Sequence, residues 1–402
     1  MTQIPHKTLL IAQFSTSQLG KTAVIVCAIA SCFLIAANIT LQAQTSVFIK
    51  VLTQEEAQPV TGARVFFAGT VSGGITNNNG LAHLKNIQAG SYQLVISSMG
   101  YKLYKQTLTV PSSLHDTLKI TLEAQPIKTG EVTVIANRPP DYRIRVREFT
   151  NILLGASVNG QQAIIRNPDV LDFTVVADAN GSTYYEVSAR EPLVIVNKRL
   201  GYYVTFVLEK GGLAGAKAWY QGPIYFDEMT SSDSTVYRRW ETNRKNAARG
   251  TLQHFIATLI KATSETIPNY RGFQARRIVD EGSYLKNWVI AGNPFSLDSI
   301  PILQDSVGTG YKILFPPCFE IIHAESYTEE TYQKSFRNTA FDDKAANRGN
   351  WHPRSLIVPQ KLVVHADKRG FLYSPDDLLM YGYWGWLRLA DEVPVEYYSQ
   401  EP

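Results

Sequence analysis

Between residues 46 and 123 apolar and polar side chains alternate in short runs separated by turn residues, the pattern of a small all-β fold. Runs at 46–52, 63–69, 74–76, 81–87, 91–98, 102–110 and 117–123 predict seven strands. The last is the clearest, with Leu118, Ile120 and Leu122 on one face and Thr117, Lys119, Thr121 and Glu123 on the other. One face of the strand should be buried and the other wet. Asn77-Asn78-Asn79-Gly80 supplies residues that tolerate positive φ between two strands, and Gly90 and Gly100 repeat the device just ahead of Tyr92 and Tyr101.

Gln125-Pro126 then opens a linker, residues 131–138 read as one more strand, and Pro139-Pro140 stops it. Further strands are predicted at 183–189, 201–209, 216–226, 310–315, 319–324 and 361–365. One amphipathic helix is predicted over 234–262, because Trp240, Ala247, Ala248, Leu252, Phe255, Ile256 and Leu259 recur close to the helical period. Gly250 allows a break into two shorter helices. Arg238, Arg239, Arg244, Lys245 and Arg249, with Glu241 among them, read as its solvated face. The chain is therefore expected to be mainly β, a seven-stranded sandwich at 45–125 and a linker at 126–140 leading to a β-rich α+β region at 141–402.

Ahead of the strands, no charged side chain occurs between Lys21 and Lys50, and residues 24–37 are almost wholly apolar. Lys7 and Lys21 precede the run and Leu41-Gln42-Ala43-Gln44 follows it, so residues 1–44 fit a secretory signal cut near Ala43 or Gln44. Residues 22–41 are also just long enough for an uncleaved anchor, and Cys32 offers a loose lipid-attachment site. Cleavage or anchoring places the folded part outside the cytoplasm, in the periplasm or against the outer membrane, touching a membrane only through residues 1–44. Of the three cysteines only Cys318 lies beyond this segment, so stability is expected from core burial and not from a disulfide.

Several landmarks then fall in order. Pro59-Val60-Thr61-Gly62-Ala63-Arg64-Val65 looks like an opening strand, Thr76-Asn77-Asn78-Asn79-Gly80 like a Thr-Asp-x-x-Gly turn, Ile87-Gln88-Ala89-Gly90-Ser91-Tyr92 like Leu-x-x-Gly-x-Tyr, and Met99-Gly100-Tyr101 like its Gly-Tyr partner. Together they resemble the carboxypeptidase regulatory-like family, a transthyretin-like sandwich found near the N-terminus of exported Gram-negative envelope proteins. Asn77 stands where that family usually has Asp, which removes a charge and keeps the turn. The resemblance implies a non-catalytic module. Residues 131–138 are similar to the strand that follows the module in TonB-dependent outer-membrane transporters. The roughly 260 residues after the linker are too few for a plug and a large barrel. Leu154-Gly155-Ala156-Ser157, Asn167-Pro168-Asp169-Val170-Leu171, Leu200-Gly201-Tyr202 and 250–255 look like a region that accompanies the module in exported bacterial proteins.

Catalytic signatures are missing from the text. None of the seven histidines has the His-x-x-Glu spacing of a metallocarboxypeptidase, and His-Glu-x-x-His is absent. Gly20-Lys21-Thr22 lacks the first Gly of a phosphate loop, and 211–215, with Gly211, Gly212 and Gly215, misses the dinucleotide spacing and reads as a hairpin loop. Ser157 lacks the second Gly of a nucleophile elbow. The carboxylate pairs Asp342-Asp343 and Asp376-Asp377 sit in turn-like text and read as surface or capping residues. No catalytic, cofactor or metal residue is assigned.

With a net charge of +4 spread along the chain, nucleic acid is not an expected partner. Tyr381, Tyr383, Trp384 and Trp386 fall within six residues, and Trp219, Tyr220, Tyr225 and Phe226 form a second group. Exposed, such rings can stack on sugars; buried, they fill a core. The expectation is an exported envelope protein that binds or scaffolds another envelope protein. The alternatives are carbohydrate binding through Tyr381, Tyr383, Trp384 and Trp386, and a hydrolase whose site is assembled from distant residues.

Overall fold

The computed structural model describes residues 45–88, 90–110, 117–125, 140–177, 181–215, 217–278, 293–306, 310–335 and 351–399. The leader over 1–44 with its Gly20-Lys21-Thr22, the strand at 131–138 and the Asp342-Asp343 pair lie outside these residues.

The first seven strands are β1 (Thr45–Thr53), β2 (Arg64–Phe67), β3 (Gly73–Ile75), β4 (Leu81–Ile87), β5 (Gly90–Ser97), β6 (Tyr104–Val110) and β7 (Thr117–Leu122). They match the seven predicted runs and form two sheets, β4-β1-β7 and β3-β2-β5-β6. β7 lies parallel to β1, while the other pairs are antiparallel. Alternate residues of both sheets share one core, with Val47, Ile49 and Val51 of β1 packed among Val65, Phe67, Leu84, Leu94, Ile96 and Leu122. This is a sandwich whose inner faces supply its stability. At the 77–80 turn the Asn77 Oδ1 accepts the backbone N–H groups of Asn79 (2.9 Å) and Leu81 (3.1 Å). A neutral amide oxygen thus does what the family's carboxylate would do, since the turn needs an acceptor and not a charge.

The next stretch begins with helices α1 (Tyr142–Leu154) and α2 (Val158–Gln162). Eight strands follow: β8 (Ala163–Ile165), β9 (Leu171–Ala177), β10 (Thr183–Ala189), β11 (Leu193–Asn197), β12 (Tyr202–Phe206), β13 (Lys210–Ala214), β14 (Lys217–Gln221) and β15 (Ile224–Glu228). They make two four-stranded sheets, β14-β13-β10-β9 and β15-β12-β11-β8, around a core that includes Phe149, Leu171, Leu193, Tyr202, Phe206 and Phe226. The single strand predicted over 216–226 is two strands in different sheets, because Gly222-Pro223 turns the chain between them. The 211–215 stretch is not a hairpin loop: Gly211 and Gly212 lie within β13, and the turn falls after it at Gly215, where φ is 57°.

The predicted 234–262 helix is two helices, α3 (Ser234–Ala248) and α4 (Leu252–Lys261). Gly250 breaks them with φ of 73°, and Thr251 just beyond it caps α4, its Oγ1 accepting the His254 N–H, while Asp233 caps the start of α3. One member of the supposed solvated face is buried. Arg244 donates to the carbonyls of Leu200 (2.7 Å) and Gly201 (3.1 Å), pairs with Glu228 (2.7 Å) and lies 3.9 Å over the Tyr202 ring.

The third part holds β16 (Phe273–Arg277), β17 (Asn293–Phe295), β18 (Ile302–Gln304), β19 (Gly310–Ile313), β20 (Phe319–His323), β21 (Arg354–Pro359), β22 (Val364–Asp367) and β23 (Leu378–Gly382). Helix α5 (Glu330–Ser335) falls between β20 and β21. The sheets are β17-β16-β20-β21-β23 and β18-β19-β22, with α4 packed through Phe255, Ile256, Leu259 and Ile260 into their shared core. Residues 44–402 make one compact unit. Among the described residues no helix is long and apolar enough to cross a membrane.

Candidate binding face and the latch that holds the sandwich

The four C-terminal aromatics do not form an exposed platform. Trp384 is buried, its indole N–H donates to the Gly250 carbonyl (2.7 Å) and its backbone N–H to Ser355 Oγ (3.0 Å). That corrects the sequence expectation for this residue: the indole closes the gap left by the α3–α4 break. Tyr383 and Trp386 stack on each other (5.7 Å) and meet Tyr332 of α5 edge-on at 5.1 and 5.2 Å. Tyr381 packs beside Ile278 and Leu356. A short turn, Leu389–Asp391, follows them. Of the second group, Phe226 is buried and Tyr220 and Tyr225 are half-buried, whereas Trp219 is 46% exposed.

Trp219 belongs to an open sheet face. On β14-β13-β10-β9, one side carries Phe173, Tyr185, Val187, Leu213, Ala218 and Tyr220 into the core. The opposite side follows from the register: Thr174, Glu186, Gly212 and Trp219 form one cross-strand row. Val176, Tyr184, Ala214 and Lys217 lie beside it, and Asp172, Ser188, Lys210 and Gln221 on its other flank. Trp219 lies over Gly212, where any Cβ would collide with the indole, and reaches Tyr184 with ring centroids 5.3 Å apart at 54°. The glycine thus makes room for an aromatic pair on a wet surface. Sequence reading missed Tyr184, whose partner is 35 positions away along the chain and two strands across the sheet, beyond β13.

A buried ion pair joins the sandwich to the rest. In the turn after β22, Arg369 Nε donates to Asp367 Oδ2 (2.7 Å), and Asp367 Oδ1 accepts the backbone N–H groups of Arg369 (2.8 Å) and Phe371 (3.1 Å). The guanidinium also donates to the Ser91 carbonyl (3.1 Å) and lies 4.2 Å over the Tyr92 ring of β5. Asp367 and Arg369 are 2% and 5% exposed. Nearby, the β2–β3 turn is gripped from two sides: Gly69 N–H donates to the Ile224 carbonyl (2.7 Å), Phe226 N–H to the Thr70 carbonyl (3.1 Å), and Val395 N–H to the Gly69 carbonyl (2.8 Å). Phe66 and Val95, on the sandwich's outer face, are fully buried against Leu103, Val207, Tyr225 and Phe371.

Two further polar groupings are buried. His254 and His323 lie 5.9 Å apart, and burial pushes them down to about 3 and about 4 respectively. His254 Nδ1 accepts the Gly250 N–H (3.0 Å), so its proton sits on Nε2, beside the Phe273 ring at 5.1 Å. Ser157 Oγ (2.6 Å) and Asn159 Nδ2 (3.0 Å) both donate to Asp391 Oδ1, and burial raises that carboxyl to about 6. Ser157 therefore caps α2 and ties it to the C-terminal segment through Asp391. Asp377 pairs with Lys361 (2.7 Å) at the end of a short turn. A cleft of about 500 Å³ lies between residues 269–276 and 294–297, with Glu325 at its rim held by Arg249 (3.1 Å). Among the described residues no three His, Cys, Asp or Glu side chains converge to hold a metal.

This architecture agrees with the family comparison: residues 50–134 match the CarboxypepD_reg-like domain. The chain therefore carries a CarboxypepD_reg-like domain over these residues. Among solved structures, a type II cohesin–X-dockerin complex from Acetivibrio cellulolyticus is 22% identical over 20% of this chain and 51% of that one, with a TM-score of 0.14. The Bacillus anthracis TIE protein is 13% identical over 47% and 32%, with a TM-score of 0.19. A putative membrane-associated protein of unknown function from Bacteroides fragilis is 13% identical over 47% and 84%, with a TM-score of 0.15. The chain spans about half the length of the cohesin–dockerin chain it matches, and superpositions at these scores carry no argument about fold or function. A search of curated proteins gives no match.

Proposed function

We propose that the chain is an exported, non-catalytic protein of the cell envelope that binds or scaffolds a partner. The observation that carries this reading is the seating of the CarboxypepD_reg-like sandwich. Arg369, Asp367 and the gripped β2–β3 turn make it a fixed part of one body, as a scaffold that must hold a surface in place requires. The apolar run at 24–37 supports export, and the family match supports a module without chemistry of its own. The partner is proposed to be another envelope protein. Crosslinking in intact envelopes, followed by isolation of the full chain, should recover a discrete complex; recovery of the free chain alone under every growth condition tried would refute the reading.

A further inference from the structure

We propose that the outer face of the β14-β13-β10-β9 sheet is a saccharide-binding site, with Trp219 and Tyr184 taking the apolar side of an uncharged pyranose chain. The proposal rests on the binding reading above and names the chemistry of one ligand. A pyranose ring presents C–H groups on its faces and hydroxyls around its rim, so a surface that binds it needs exposed aromatic rings with donors and acceptors beside them. Trp219 is 46% exposed and Tyr184 is in contact with it across the small residues of β13. Both rings are fixed by strands, so little side-chain freedom is lost on binding.

The surroundings fit hydroxyls better than they fit ions. Lys217 lies two residues before Trp219 on the same face, and Glu186 lies one strand beyond Gly212 in the Trp219 row. Among the described residues the side chains of Thr174, Glu186, Ser188, Lys210, Lys217 and Gln221 form no hydrogen bond or ion pair, leaving both donors and acceptors free. Charges of both signs lie here, Lys210, Lys217 and Arg190 against Glu186 and Asp172, with Arg190 and Asp172 joined as an ion pair at 3.1 Å. Such a balance complements a neutral ligand that donates and accepts at once, and gives little long-range attraction to a polyanion. Covering a strand glycine accounts for Trp219 alone; it does not account for Tyr184 or for the unpaired polar rim.

The test is affinity electrophoresis of the full chain through gels containing neutral glucans, mannans or xylans, with polygalacturonate as the acidic comparison. At least one neutral polysaccharide should retard the protein, and Tyr184→Ala and Trp219→Ala should each weaken that retardation about tenfold. Trp219→Ala also uncovers Gly212, so Tyr184→Ala and Glu186→Gln serve as variants that leave the glycine covered. Retardation by no neutral polysaccharide, retardation unchanged in Tyr184→Ala, or retardation by polygalacturonate alone would overturn the site. A crosslinked protein partner that persists in Tyr184→Ala while no polysaccharide binds would sink this proposal and leave the scaffolding reading standing.

Discussion

Arg369 and Asp367 illustrate how much one charged pair can decide when it is buried. Removing either partner strands the other in a site with little water, so Arg369→Ala and Asp367→Ala should each lower unfolding free energy by about 3–5 kcal/mol. Chemical denaturation checks this, and loss of less than about 1 kcal/mol would show the pair to be ornamental. His254 makes a prediction of a different kind. The unfolded chain takes up a proton near pH 6.5, whereas the folded chain refuses it until pH falls to about 3, so this residue subtracts stability progressively below pH 6.5. Asp391 works in the opposite sense, because its carboxyl, raised to about 6, keeps a proton that the unfolded chain has released. The comparison of wild type with His254→Gln separates the two. Between pH 7 and pH 4.5 the variant should lose about 2–3 kcal/mol less stability than the wild type, and identical pH profiles would contradict the burial argument. None of these residues announces its role in the text. Arg369 and Asp367 sit in an ordinary turn, and it is the arrival of Ser91 and Tyr92 from a distant strand that buries them.

At the level of elements, local chemistry wrote the strands plainly. Alternation, glycine turns and the Asn77 acceptor all act within a few residues, and the seven sandwich strands follow the text closely. Legibility fails where an element is defined by its neighbour. Helix α1 carries Tyr142, Val146, Phe149 and Leu153 at helical spacing, but Arg143, Arg145, Arg147 and Glu148 interleave them so closely that no helix is predicted there. Gly211 and Gly212 look like a loop because a strand glycine makes sense only once Trp219 lies across it. The C-terminal aromatics look like a platform because nothing local says that Gly250 leaves a carbonyl for Trp384. Gly250 itself is testable. Its φ of 73° and the 2.8 Å approach of His323 Nδ1 to any Cβ leave no room for a side chain. Gly250→Ala should cost about 1–3 kcal/mol and lower the melting temperature, and a neutral result would mean that the helices can fuse into the single rod that the apolar stripe suggests.

Over the whole molecule, the CarboxypepD_reg-like domain is bounded in sequence yet not in space. Phe66 and Val95 point away from the sandwich's own core and are covered, beside Leu103, by Val207, Tyr225 and Phe371 from elsewhere, so an excised 45–125 fragment would lose most of that cover. Denaturation followed by fluorescence and by far-ultraviolet dichroism should give coincident transitions for the full chain, while the fragment should unfold at lower denaturant and tend to associate. Two separated transitions in the full chain would show that the latch is too weak to couple the parts.

The grip on the β2–β3 turn also sets an order of events. Val71 N–H meets Glu396 Oε1 at 3.3 Å across 325 positions of sequence, and Val395 closes on Gly69 in the same place. A polypeptide made from its first residue onward forms its sandwich early and must wait for almost the whole remainder before that corner is closed. During that interval the turn at 68–72 is held on one side alone, by Ile224 and Phe226, and its other side closes only when Val395 and Glu396 arrive.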